Sequence, residues 1–171
     1  MQMTTTARPA AVPGNQAARG GDAPDTPAYR LASTVDDLLA RARARLPHRP
    51  SPAEALRAQA NCWLLVDIRG DDQRRTGGLI PGAIVVPRNS LEWRCDPACR
   101  WRHPAITCPD VHLILICQQG YQSSLAASTL HRLGLIHATD LDGGFDAWAA
   151  SGLPVIAGAT CDPESAPPAI V

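Results

Sequence analysis

Hydrophobic and polar positions along this chain follow two different periods, and the change from one to the other is sharpest near residue 117. The run Val111-His112-Leu113-Ile114-Leu115-Ile116 is apolar and β-branched over strand length, and the positions after it repeat apolar residues at helical spacing (Leu125, Ala126, Leu130, Leu133). A strand over 112–116 and a helix over 122–133 are predicted. Upstream, Ser33 or Thr34 is placed to cap a helix with acids in its first turn (Asp36, Asp37), leucines at 38 and 39, and arginines toward its end (Arg41, Arg43, Arg45). Pro47 and Pro50 stop it. A second helix opens with Ser51 as cap, Pro52 at its first position and Glu54 three after the cap, the pattern of a capping box.

Strands are predicted over 62–67 and 83–87, with a short last strand at Thr139-Asp140-Leu141 and a closing helix over 145–150 ended by Gly152 and Pro154. Between them, 88–110 is rich in Cys, Trp and Arg and reads as irregular. Short apolar strands interleaved with helices predict an α/β domain with a mostly parallel sheet. Residues 1–32 are rich in Ala, Pro, Gly, Thr and Gln with few large apolar side chains, so they are expected to be disordered. One domain over 33–155 is expected, followed by a flexible Pro- and Ala-rich tail over 156–171. No internal repeat is visible.

Composition narrows the function classes. The formal net charge is zero, which gives no reason to expect a nucleic-acid or acidic-membrane partner. All the basic residues are arginine, a bias read as genomic composition. No apolar run approaches the roughly 20 residues of a membrane span, and the first residues lack the apolar core of a secretory signal. A cytoplasmic protein is the expectation. Cysteines at 62, 95, 99, 108, 117 and 161 then read as thiols or metal ligands rather than a disulfide framework.

Cys117 carries the strongest chemical signal. It stands where a buried strand ends and a helix begins, in Cys117-Gln118-Gln119-Gly120-Tyr121-Gln122-Ser123. Backbone N–H groups of such a turn, together with the positive end of the helix dipole, favour thiolate over thiol, and Gly120 lets the loop curl around the sulfur. A nucleophile is predicted at this position.

Four separated segments resemble one family. They are Leu64-Leu65-Val66-Asp67-Ile68-Arg69, Gly78-Leu79-Ile80-Pro81-Gly82-Ala83, the Cys117 loop, and Leu141-Asp142-Gly143-Gly144-Phe145-Asp146-Ala147-Trp148 with Gly152-Leu153-Pro154-Val155. In this order they resemble the rhodanese-like sulfurtransferase domain, over about residues 46–155. The resemblance implies a three-layer α/β domain with a central, mostly parallel sheet and an active cysteine on a loop that opens a helix. It also implies a persulfide relay. On that likeness Cys117 would take sulfur from a small sulfane donor and pass it to a thiol or protein acceptor, and no cofactor is expected. Residues 118–123 would form the substrate and persulfide loop.

The departures from that family are informative. Members that use thiosulfate usually carry basic residues next to the cysteine and again just before the serine, where this chain has Gln118 and Gln122. Leu79 stands where many members have a histidine. An uncharged loop makes a non-enzymatic binding or reactive-sulfur-sensing module the alternative to an enzyme. Positive charge is expected instead from Arg88 or Arg94, which the preceding strand delivers to the same sheet edge. Asp67 and Arg69 are read as supporting residues that fasten the loops.

Other constellations point less far. Cys95, Cys99, His103 and Cys108 are zinc-type ligands, but they lack a paired C-x-x-C knuckle, and no metal is expected. Cys95 or Cys99 is a candidate resolving thiol for an oxidised Cys117. Gly143-Gly144 is not followed by the lysine-bearing remainder of a phosphate loop. Six positions after Cys117, where phosphatase chemistry wants an arginine, stands Ser123.

Overall fold

A computed structural model describes residues 33–158. The expectations for 1–32 and for 159–171, Cys161 included, lie outside the described residues. Helix α1 (Val35–Arg43) is capped by Thr34, and α2 (Pro52–Ala60) by Ser51, each with a complete capping box. The backbone and side chain of Thr34 hold the Asp37 carboxyl below its ordinary range. The side chain of Ser51, then its backbone, with a smaller contribution from His48, bring the Glu54 carboxyl down to about 2.

The sheet consists of β1 (Leu64–Asp67), β2 (Ile84–Val85), β3 (Leu113–Ile116) and β4 (Ala138–Asp140), in the spatial order β2-β1-β3-β4. Every pairing is parallel, so each return passes over a face and all carboxyl ends open onto one edge. Alternation along the strands gives the sheet two apolar faces. Val66, Leu113 and Leu115 pack toward Ala126, Ala127 and Leu130. Leu65, Ile114 and Ile116 pack toward Ala55, Phe145 and Trp148. Three layers result, with α5 (Gln122–His131) on one side and α2 with α6 (Gly144–Ala150) on the other.

Four details depart from the sequence-based expectation. The first strand begins at Leu64 rather than 62, because Cys62 is in the left-handed region (φ 67°) and Trp63 donates its N–H back to Ala58. Strand 83–87 shrinks to Ile84–Val85. Helix α3 (Asp71–Gly77) forms without an apolar stripe, and its one buried side chain is Arg74, which bonds the Arg69 carbonyl and Asp71. The segment after β2 is not irregular throughout. A 3-10 turn at Arg88–Ser90 leads into α4 (Leu91–Cys95), whose Leu91 and Cys95, four residues apart, are buried in the core. At the far end the chain stays attached through Ile156, which bridges Leu79.

Candidate active site

Cys117 follows β3 directly and is 5% exposed. Its register neighbours explain what it meets. Ile116 pairs with Asp67 and Leu115 with Asp140, so the carboxyl ends of β1 and β4 flank the cysteine. The chain then curls back on itself at Gly120 (φ 75°), and two amides aim at the sulfur: Gly120 N–H at 3.2 Å and Ser123 N–H at 3.4 Å. The Ser123 hydroxyl lies 3.2 Å from the same sulfur. Convergent donors around one buried sulfur are an arrangement suited to holding negative charge on that atom.

The loop is fixed from behind by charge. The Gly120 carbonyl accepts from Arg43 Nη2 at 2.8 Å and from Arg49 Nη2 at 3.3 Å. Arg49 also grips the fully buried Asp140 through Nε at 2.8 Å and Nη2 at 3.1 Å. Asp140, ahead of Asp142, pushes the Arg49 guanidinium above its ordinary value. Asp140 Oδ2 in turn accepts from Ser123 Oγ at 3.0 Å and Ser124 Oγ at 2.8 Å. From the other side, α6 covers the loop's carbonyls. Phe145 N–H bonds Cys117 O at 2.9 Å and Asp146 N–H bonds Gln118 O at 3.0 Å.

The predicted site residues divide into groups. Gln118 turns away from the sulfur to donate to Asp146 at 2.5 Å, and Gln119, Tyr121 and Gln122 are exposed at the rim. An open cleft of about 400 Å³ lies beside Gln118, lined also by Asp72, Gln73, Thr76 and Gly77. Asp67 and Arg69 form a buried bidentate pair (2.7 Å at its shortest), with Arg69 also on the Gly78 carbonyl at 2.7 Å and stacked on Phe145. That pair ties β1 to the turn before residue 79 and to α6. Arg88 and Arg94 are engaged elsewhere. Arg88 pairs with Glu92 at 2.9 Å, and Arg94 donates to the Trp101 carbonyl at 2.7 Å. Among the described residues neither is bonded to the cysteine loop, and the guanidiniums that do touch it are Arg43 and Arg49.

Sequence reasoning missed Arg43, Arg49 and Asp140. In the sequence Arg43 is explained by its place at a helix terminus. The one available signal for Asp140 was an acid at the carboxyl end of a predicted parallel strand.

Among the described residues no three His, Cys, Asp or Glu side chains come together as metal ligands. Burial pushes the Cys95 thiol up to about 12, with Glu92 adding to the rise and Arg94 opposing it. A thiol so protonated and covered is a poor resolving nucleophile. Brief alkylation of the native protein at pH 8, read by peptide mass, is expected to label the exposed Cys62 and Cys108 and leave Cys95 unmodified. Labelling of Cys95 at the rate of Cys62 would contradict this.

A parallel sheet whose central strand delivers a cysteine into a cradle of amides defines an α/β domain of the cysteine-loop class. Residues 51–151 match the family model of the rhodanese-like domain, and the chain belongs to that family. It is 34% identical over 105 residues to a protein named thiosulfate sulfurtransferase GlpE from Ectopseudomonas mendocina, covering 60% of this chain and 85% of that one. It is 31% identical over 94 residues to a protein named sulfurtransferase from Allochromatium vinosum, covering 55% of this chain and 78% of that one. A solved structure from Rhodopseudomonas palustris, described as a protein of unknown function and possible tyrosine phosphatase, aligns with a TM-score of 0.67 at 28% identity, over 74% of this chain and 96% of that one. No described helix is long and apolar enough to cross a membrane.

Proposed function

We propose that this protein is a sulfurtransferase that carries sulfane sulfur as a Cys117 persulfide. The observation that supports the reading best is the convergence of Gly120 N–H, Ser123 N–H and Ser123 Oγ on one sulfur. In the first half-reaction the Cys117 sulfur anion attacks the sulfane sulfur of a donor. A new Sγ–S bond forms, the donor's S–S bond breaks, and the electron pair leaves with the donor fragment, sulfite in the case of thiosulfate. In the second, an acceptor thiolate attacks the outer sulfur and the electron pair returns to Sγ. The loop donors face Sγ, the sulfur that bears the charge before the first half-reaction and after the second.

The experiment is intact-mass measurement after exposure to thiosulfate, polysulfide or cysteine persulfide, followed by addition of a thiol. A gain of one sulfur atom on Cys117, lost to the acceptor with turnover, is expected. A Cys117 that never gains sulfur, or holds it without passing it on, would favour the binding or sensing module instead. Phosphatase chemistry is disfavoured because Ser123 stands in the position of the clamping arginine, and Arg43 and Arg49 bind the outside of the loop through the Gly120 carbonyl.

Donor choice follows from the rim. Gln118 is turned to Asp146 and Gln122 offers only a neutral amide, so a divalent anion finds no guanidinium in the loop. Thiosulfate is expected to show a high KM, and donors of lower charge to be better substrates. The double change Gln118→Arg with Gln122→Arg is expected to raise kcat/KM for thiosulfate by about tenfold through charge-assisted bonds to the anion. Equal or poorer thiosulfate turnover in a well-folded double variant would reject this account of donor choice.

A further inference from the structure

Ser123 has one hydroxyl proton and two groups that claim it. Its Oγ lies 3.2 Å from Cys117 Sγ and 3.0 Å from Asp140 Oδ2, and all three residues are buried. While the sulfur is a thiol, its S–H donates to Oγ and the hydroxyl donates to Asp140. Once the S–H bond breaks, the proton leaves to solvent, the electron pair stays on sulfur, and the sulfur can only accept. The hydroxyl then turns to it.

Asp140 can release that bond because Arg49 keeps it satisfied. Arg49 Nε and Nη2 at 2.8 and 3.1 Å remain on its two oxygens, and the Ser124 hydroxyl, 2.8 Å from Asp140 Oδ2 and 3.1 Å from the Gly120 carbonyl, is shared between those two acceptors. We propose that Asp140, neutralised by Arg49, is a positioning residue that governs the ionisation of Cys117 by competing with the sulfur for the Ser123 hydroxyl. Asp140 restrains ionisation and Arg49 weakens the restraint. The device draws on chain outside the matched family domain, which begins at residue 51, since Arg49 and the Gly120-binding Arg43 both precede it. It rests on the reading of Cys117 as the sulfur carrier and adds what controls its charge.

The other carboxylates of these elements already hold partners of their own. Asp142 sits on the outer face of Arg49 at 2.7 Å, and Asp146 holds Gln118. On the neighbouring strand Asp67 is closed by Arg69, and on α4 Glu92 is closed by Arg88. Asp140 is therefore the carboxylate whose bonding changes when the sulfur does.

The test is the pH dependence of Cys117 alkylation by iodoacetamide in the full-length protein, read by peptide mass. Asp140→Asn is expected to lower the midpoint by about one pH unit, because a restraining charge is gone. Arg49→Gln is expected to raise it by a similar amount, because Asp140 then holds the hydroxyl harder. In a Ser123→Ala background both shifts are expected to fall below half their size, since the coupling runs through that hydroxyl. Absent shifts, shifts of the same sign, or full-size shifts without Ser123 overturn the proposal. Should Asp140→Asn fail to fold, the Arg49→Gln and Ser123→Ala cycle decides the same question. Alkylation reads the sulfur itself and persulfide formation reads the proposed function, so either can fail alone.

Discussion

Cys117→Ser is expected to reduce sulfur transfer to the uncatalysed background and to abolish the sulfur adduct, while changing stability by no more than about 1 kcal/mol. The asymmetry comes from the site. The side chain is small, and the surrounding Gly120 N–H and Ser123 N–H can donate to a hydroxyl oxygen as they do to the sulfur, so the site keeps its packing. What disappears is the soft sulfur nucleophile that forms an S–S bond. The complementary variant, with the other five cysteines replaced by alanine, is expected to keep a measurable rate, although loss of the buried Cys95 lowers stability. Activity that persists in Cys117→Ser and vanishes in the five-cysteine variant would move the chemistry to another thiol.

The parts of this structure legible in the sequence are those written in local chemistry. Thr34 with Asp37 and Ser51 with Glu54 fix two helix starts within three residues, and the run before Cys117 can only be a buried strand. The cradle for the sulfur was legible for the same reason, since it is made of backbone amides that a strand-turn-helix must present. What stayed hidden is tertiary or lacks a period. Helix α3 has no apolar stripe to read, and the two core contacts of α4 were masked by the surrounding Cys, Trp, Arg and Pro.

The charge around the loop was hidden by distance along the chain. Arg49 meets Gly120 and Asp140 from 71 and 91 residues away, and Arg43 meets Gly120 from 77. The sequence points for external charge to Arg88 and Arg94, in the segment after β2, a strand separated from β3 by β1. Those side chains found closer partners in Glu92 and the Trp101 carbonyl. A guanidinium goes to the nearest unsatisfied acceptor, and which acceptor that is depends on packing no single segment encodes.

The largest structural effect is expected from Gly144→Ala, a change of one methyl group. Gly144 is in the left-handed region (φ 63°), which by itself costs an alanine about 1 kcal/mol. The decisive term is space. A Cβ there would lie 2.5 Å from the Cys117 carbonyl oxygen, 2.6 Å from Gly120 N and 2.8 Å from the Gln118 carbonyl oxygen. All three are backbone atoms of the sulfur-binding loop, so no side chain can rotate away and the loop itself must move. Displacing it breaks the Phe145 and Asp146 amide bonds to Cys117 and Gln118, and shifts Gly120 N–H off the sulfur. Destabilisation of about 3 kcal/mol or more and at least a hundredfold loss of sulfur transfer are expected. Gly152→Ala supplies the control, because Gly152 shares the left-handed conformation (φ 66°) but meets nothing within 4 Å. It should lose only the conformational cost, about 1 kcal/mol, and keep its rate. Thermal unfolding and initial rates on the two variants separate the terms. Equal losses in both would mean that backbone conformation, and not the contact between the two loops, is what Gly144 provides.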